Sequence, residues 1–456
     1  MEFMEFPKNY DFKEVEARLV KFWEDKQVYK FKKSSKDIYS VDTPPPTMSG
    51  KMHLGHSFSY SQQDFIVRYH RMKGKDVFYP FGTDDNGLPT ERMVEKLKKV
   101  KSTKMSRPEF IELCNKTLDE LRNSFVQDWK NIGMSCDFSE SYSTISDHGI
   151  KTGQKSFLDL YKKGLVSRKE SPTVWCVNCQ TAIAQAELDD KEKDSNFVHL
   201  NFEVENGEKL EIATTRPELL AACVTVFVHP EDERHKHLVG KRIKVPLFDY
   251  FVDIKADESA DIEKGSGALM VCSYGDKHDV AAINKYKLKS RVVFTRDGKL
   301  NSYAGKYKDM KILEARENII QDLEEKGYLI KKEAIRHVAN VHDKCGTEIE
   351  FITSKQWFID VMDYKNKFIE AGNKIQWYPK YMQKRYDNWI EGLSWDWCIS
   401  RQRHFGVPFP VWYCIKCDSV VVPNEDELPV DPLDSKRKCE CGGELEAEED
   451  VMDTWM

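Results

Sequence analysis

The sequence has no apolar run approaching the ~18 residues that cross a bilayer; its best stretch lies around Ala221–Val228. Its first residues, MEFMEFPKNYDF, are acidic and lack the basic-then-apolar order of a signal peptide. There is no internal repeat, no low-complexity segment and no Walker-type phosphate loop. These absences lead to the expectation of a soluble, cytoplasmic protein with no membrane partner. What is present excludes a disordered or collagenous chain: 12% of the 456 residues are aromatic, and tryptophan occurs ten times. At roughly 150 residues per domain the length predicts about three domains.

The net charge of −6 is unevenly spread. Residues 424–450 hold eleven acidic and three basic side chains, a balance of −8, so the remainder sums to +2. Lys96 to Arg107 carries six positive charges and no acid, so an acidic total leaves a nucleic-acid partner open. Of twelve cysteines, seven fall in short patterns: Cys176/Cys179, Cys414/Cys417, Cys439/Cys441, and Cys345 three residues after His342. Close pairs are what tetrahedral zinc needs, because one tight turn presents two thiolates and a distant pair completes the site. Two structural zinc ions are therefore expected, one on Cys176, Cys179, His342 and Cys345, the other on Cys414, Cys417, Cys439 and Cys441. Cys136 and Cys398 read as small buried apolar side chains.

Residues 37–100 read as strand–helix–strand–helix. Alternation over Ile38–Thr43 predicts a strand, and three prolines at 44–46 force a turn. Helical spacing of Phe58, Phe65, Tyr69 and Met72 predicts a helix after Gly55, with Gly74 as its stop. Asp76–Phe81 reads as a second strand and Leu88–Val100 as a second helix. Such a βαβ unit argues for a parallel sheet with a ligand site at the strand C-termini. Residues 110–165 read as helical, 197–303 as β-rich, and Asp309–Gly327 as a helix with Ile312, Ala315, Ile319, Ile320 and Leu323 on one face.

His53-Leu54-Gly55-His56 falls where the strand hands over to the helix. Free N–H groups at a helix start attract phosphate, two imidazoles add hydrogen bonds, and glycine lets a flat base approach; a metal-binding pair is the competing reading. Taken with FYPFGTDDNGLPTE, TTRPE (Thr214–Glu218), GSGALMVCSYGDKHD (Gly265–Asp279), WCISRQRHFGVPFPVWYC (Trp397–Cys414) and DTW (Asp453–Trp455), the chain resembles class I aminoacyl-tRNA synthetases of the valine, isoleucine and leucine group. Within that group it is most similar to the valine-specific form of archaea and some bacteria. The motifs span nearly the whole chain in the family's order.

The resemblance implies an α/β fold: a Rossmann-type parallel-sheet nucleotide fold interrupted by a β-rich editing domain and zinc-ribbon modules. Its implied divisions are the first half of the catalytic domain at 1–168, an outgoing zinc stalk at 169–195 and an editing domain at 196–335. A return stalk at 336–355, further catalytic chain at 356–412, a four-cysteine module at 413–450 and the start of a catalytic strand at 451–456 follow. It implies ATP-dependent activation of valine with Mg²⁺, transfer to tRNA(Val), and hydrolysis of mischarged threonyl-tRNA(Val), by a monomer. Isoleucine activation, a deacylase without activation, or a tRNA-binding module are the alternatives.

By the same resemblance His53 and His56 act on the α-phosphate, Thr47 and Gly55 join them at ATP, and Asp84 holds the α-ammonium. Pro45, Pro46 and Trp455 shape the side-chain slot. This chain has Asp85-Asn86 where many valine enzymes carry His-Ala, and ordinary turn chemistry before Gly87 is the competing reading of the acidic pair. A slot for valine rejects threonine poorly, which is the logic of a second, hydrolytic site. Thr214, Thr215, Arg216 and Asp279 would line it, with Asp276 a further candidate; Met270 and Cys272 stand where polar groups are expected. Without that context, TTRPE reads as a strand ending in a turn with a surface arginine. Lys104-Met105-Ser106-Arg107 imitates the family's second phosphate signature, KMSKS, but precedes the insertion. It reads instead as a helix N-cap at Ser106 followed by Pro108. The chain is thus expected to be an N-terminal portion without the KMSKS loop and the anticodon-binding domain.

Overall fold

Asp11 accepts the N–H groups of Lys13 and Glu14 and starts α1 (Phe12–Asp25) in the computed structural model, which describes residues 9–34, 37–48 and 51–455. The start of the chain at 1–8 and Ser49 and Gly50 of the proline turn lie outside the described residues. The chain divides into two units, 1–164 with 401–456, and 165–400.

In the first unit β1 is confined to Ile38–Ser40, shorter than the alternation to Thr43 suggests, because the prolines that follow end the ladder. It pairs in parallel with β2 (Asp76–Phe78), and α2 (Leu54–Met72) is the crossover, so the βαβ unit is present. Of α2, Asp64 and Val67 are buried, whereas Phe58, Phe65, Tyr69 and Met72 are exposed. A 3.6-residue period identifies a helix but does not say which stripe faces the core.

Next come β3 (Pro80–Thr83), α3 (Gly87–Lys98), α4 (Arg107–Asn131), β4 (Asp137–Ser143) and α5 (Asp147–Lys162). The region expected to be helical from 110 to 165 is therefore split by a strand, β4, which pairs in parallel with β3. Its sequence DFSESYS is mostly polar and mostly exposed, so no apolar alternation announces it. Ser106 precedes α4 as its N-cap, and its N–H and hydroxyl donate to Glu109 at 3.2 and 2.6 Å, a cap rather than a phosphate loop. Phe110, Cys114, Leu118, Phe125 and Trp129 form the buried stripe of α4 against Val94 and Phe81. Full burial of each large side chain contributes roughly 1.5–3 kcal/mol.

Later in the same unit the strands Val407–Pro408 and Val451–Met452 pair antiparallel. Trp412–Cys414 forms a small sheet with Val420–Val421 and Leu445–Ala447.

The second unit begins with β5 (Val166–Cys176) and β6 (Thr181–Ala182). A seven-stranded sheet follows, built from β7 (Leu188–Val204), β8 (Lys209–Thr214), β9 (Cys223–Val228), β10 (Arg242–Lys244), β11 (Phe251–Ala256), β12 (Ala268–Cys272) and, after two helices, β13 (Leu329–His342). The helices are α6 (Lys277–Tyr286) and α7 (Ile312–Glu325). Ala315, Ile319 and Leu323 of α7 are buried, with Ile312 and Ile320 packed partly against the same core. β14 (Glu350–Ile359) then runs antiparallel to β5 along its whole length. Residues 356–400 belong to the same compact unit as 165–355. No helix among the described residues is long and apolar enough to cross a membrane.

Candidate functional site

His53 is the N-cap of α2, and its Nδ1 accepts the His56 N–H at 3.3 Å. That bond leaves the His53 ring proton on Nε2, turned into a donor for whatever lies at the helix start. The two rings stack, centroids 3.8 Å apart. A Cβ on Gly55 would stand 3.1 Å from the His53 ring, so glycine leaves that ring room. Burial, helped by the neighbouring His53, lowers the His56 pKa, so its imidazole is neutral at pH 7. Its Nδ1 is buried without a hydrogen-bond partner among the described residues.

Thr47 and Asp84 form a parallel bridge at the strand ends. The Asp84 N–H donates to Pro46 C=O at 2.9 Å, and the Met48 N–H donates to Asp84 C=O at 3.1 Å. The Asp84 carboxyl, 6% exposed, accepts from the Thr144 hydroxyl at 3.2 Å and has Thr47 Oγ1 at 3.5 Å. Burial, with smaller pushes from Asp85 and Asp453, raises its pKa. No cation among the described residues bridges to it; a ligand ammonium would answer its charge.

Asp85 faces the other way: its carboxylate takes the hydroxyls of Thr83 at 2.9 Å and Ser143 at 2.5 Å and the Arg122 guanidinium at 3.1 Å. The acidic pair is therefore more than turn chemistry. Pro46 is buried and Pro45 half-buried. Trp455 is 61% exposed, and its N–H donates to Asp453 at 3.2 Å.

Sequence reasoning did not find the buried Glu91, which accepts the N–H groups of His404 and Phe405 at 2.9 and 2.7 Å and pairs with Arg403. A glutamate on a helix ordinarily reads as surface, and its partners lie over 300 residues away.

The second unit contains a cavity of about 700 Å³ lined by Thr215, Arg216, Asp276, Lys277, His278 and Arg316, among others. Thr214, at the end of β8, accepts the Arg216 N–H at 3.0 Å. Arg216 is no surface residue. Its Nη2 spans both oxygens of Glu350 at 2.8 and 2.7 Å, and its Nε donates to Glu218 at 2.9 Å. Arg316 grips Glu218 from the other side through two bonds of 2.8 Å. Asp276 caps α6 by accepting the N–H groups of His278 and Asp279 at 2.8 and 2.9 Å. Asp279 accepts from Cys272 N–H at 3.2 Å and Gly275 N–H at 2.9 Å. Burial, with Asp276 adding to it, raises the Asp279 pKa to about 7. Met270 packs partly against the core and Cys272 is buried.

Both cysteine groups come together. In Cys176, Cys179, His342 and Cys345, and again in Cys414, Cys417, Cys439 and Cys441, the ligand atoms all lie within 4.8 Å of one another. Sulfur–sulfur distances of 3.5 Å (Cys176–Cys345), 3.4 Å (Cys414–Cys441) and 3.7 Å (Cys417–Cys439) suit a tetrahedron with bonds of ~2.3 Å to zinc. Cys114, Cys136, Cys223, Cys272 and Cys398 are buried.

A histidine pair thus stands at the start of α2, and Asp84 is bridged through its backbone to Thr47, six residues before His53. Residues 18–456 match the family described as tRNA synthetases class I (I, L, M and V), and the chain belongs to that family. Within it the chain is 48% identical to a valine–tRNA ligase of Thermoplasma acidophilum over 450 residues, covering 98% of this chain and 57% of that one. It is 46% identical to the valine–tRNA ligase of Methanocaldococcus jannaschii over 457 residues, covering 99% and 52%. The chain thus spans a little over half the length of these curated relatives. A solved LeuRS–tRNA–LeuAMS ternary complex from Agrobacterium radiobacter K84 aligns over 98% of this chain and 58% of that one, at 19% identity and a TM-score of 0.47.

Proposed function

We propose that this chain carries the valine-activating site of a valine–tRNA ligase together with its hydrolytic editing site. The observation that carries the reading is the backbone bridge of Asp84, just past β3, to Thr47, six residues before His53 at the start of α2. One carboxylate for an α-ammonium and one helix start for phosphate are then joined by a few residues of backbone. Valine would bind with its ammonium on Asp84, and its carboxylate would attack the α-phosphorus of ATP, with pyrophosphate leaving and Mg²⁺ screening the phosphates. His53, donating through Nε2, and the neutral His56 stabilise the charge that builds on the α-phosphate oxygens. The acyl group then passes to tRNA(Val).

In the second unit Thr214, Thr215, Arg216, Asp276 and Asp279 are assigned to hydrolysis of threonyl-tRNA(Val), with Asp279 taking the ammonium. The two cysteine groups hold structural zinc, which ties distant stretches of chain together. The divisions at 1–168, 169–195, 196–335, 336–355, 356–412, 413–450 and 451–456 remain the proposed functional layout, the part from 356 to 400 lying in the same compact unit as 165–355.

The test is equilibrium binding of non-hydrolysable aminoacyl-adenylate analogues to the 456-residue chain. The valyl analogue should bind more tightly than the isoleucyl one, and Asp84→Asn or His53→Ala should weaken it. Tighter isoleucyl binding would move the assignment to isoleucine. No analogue binding, with threonyl-tRNA hydrolysis lost in Asp279→Ala, would leave an editing deacylase alone.

A further inference from the structure

Asn86, 9% exposed, uses its whole amide on chain far away in sequence. Its Oδ1 accepts the Val407 N–H at 3.0 Å, and its Nδ2 donates to Met452 C=O at 3.2 Å and to the Thr454 hydroxyl at 2.9 Å. Val407 and Met452 are also paired with each other in the antiparallel ladder. Gly406 makes the approach possible, since a Cβ there would stand 2.9 Å from Asn86 Oδ1. On its other side the Asn86 N–H donates to Asp84 Oδ1 at 3.3 Å.

One residue therefore ties the carboxylate loop to the segment that continues through Asp453 to Trp455. Asp453 is itself held by Arg401 at 2.8 Å. Without the Asn86 amide the Met452–Trp455 stretch loses its tie to the loop that carries Asp84. Asp84 and Asp85 keep their bonds to Thr144, Thr83, Ser143 and Arg122, so it is the ordering of 452–455 that must come from the ligand instead. A site populated only in part before binding has its affinity reduced by that fraction.

We propose that Asn86 is a positioning residue of the amino-acid site, holding Asp84 and the 452–455 segment in one arrangement before the amino acid arrives. The proposal rests on the assignment of that site to valine. The Asn86 side chain bonds to Val407, Met452 and Thr454, none of them among the residues assigned to ATP, so the change is expected in valine affinity.

Calorimetric titration of the 456-residue chain with valine and, separately, with ATP tests this. Asn86→Ala should raise the valine Kd on the order of tenfold, the factor equivalent to about 1.4 kcal/mol, with the ATP Kd unchanged within twofold. Thr454→Val, which keeps the side-chain shape and removes one of the three bonds, should move the valine Kd the same way by less. It decides the matter if Asn86→Ala does not fold. Wild-type affinity for valine in both variants, measured below their melting temperatures, would overturn the proposal. A parallel loss of valine and ATP affinity would also overturn it, since that marks general damage to the unit. Failure of the wild-type chain to bind valine while it binds ATP would refute the valine assignment itself, and this proposal with it.

Discussion

Removal of the Arg216 guanidinium separates two roles for that residue, a ligand contact and a structural charge. Arg216, Arg316, Glu218 and Glu350 form a network of two positive and two negative groups, with the glutamate side chains 0% and 3% exposed. In Arg216→Ala, Glu218 keeps Arg316, but Glu350 loses the guanidinium that spans both its oxygens. Breaking a buried pair from one side costs about 3–5 kcal/mol, because an uncompensated charge is left behind. That is a large share of the roughly 5–15 kcal/mol that holds a domain folded.

Burial already pushes the Glu350 pKa up, against the pull of Arg216, so the variant's Glu350 should take a proton more readily still. A carboxyl whose folded pKa lies above its unfolded one opposes folding increasingly as pH rises. The deficit of Arg216→Ala should therefore shrink as pH falls toward the carboxylate range. The double change Arg216→Met with Glu350→Gln removes one charge of each sign and should recover more than half of the loss, the non-additivity expected of residues in contact.

A two-unit chain need not unfold in one step, so the readout is hydrogen exchange of peptides from β8 and β14 across a urea series. An Arg216→Ala loss below about 1 kcal/mol would refute the structural role, since it falls well under the cost of a broken buried pair. Lost threonyl-tRNA hydrolysis alone would not discriminate, because it follows from either role.

Freshly purified protein should contain two zinc ions per chain by metal analysis. Cys176→Ser should remove one and loosen the 165–400 unit, and Cys439→Ser should remove the other; a content near zero would refute both sites. Hydrolysis of threonyl esters should rise with pH through about 7, because Asp279, lifted there by burial and Asp276, must ionise to hold an ammonium. The same raised pKa means that Asp279 opposes folding increasingly from the ordinary carboxylate range up to about 7 and not further. Asp279→Asn should abolish the rise, and a rate flat between pH 6 and 8 in the wild-type chain would count against the ammonium role, since a pKa of about 7 falls inside that window.

The parts of this molecule legible in its sequence are those governed by local rules. A helix start at Ser106 and thiolates at CxxC spacing depend on residues a few positions apart, and each is found where those rules place it. Periodicity carried α7 as far as its buried face, because Ala315, Ile319 and Leu323 are small or apolar and nothing polar competes for the same side. It stopped short at α2, where the aromatic stripe that identifies the helix faces outward and Asp64 faces in, held by Arg68 and Ser135.

Charge is the general obstacle. Asp85, Glu91, Glu218 and Glu350 are all buried, yet an isolated acidic residue reads as surface, because burying it is unfavourable without a partner. The partner supplies the missing information, and it comes from Arg122, Arg403, Arg216 or Arg316, only one of these pairings being close in sequence. The family's motifs named Arg216 as a site residue but could not show that Glu350, next to the Cys176–Cys345 group in sequence, holds its guanidinium. A motif records which residues accompany a reaction; whether one of them meets the ligand or holds the wall behind it depends on contacts made between distant parts of the chain.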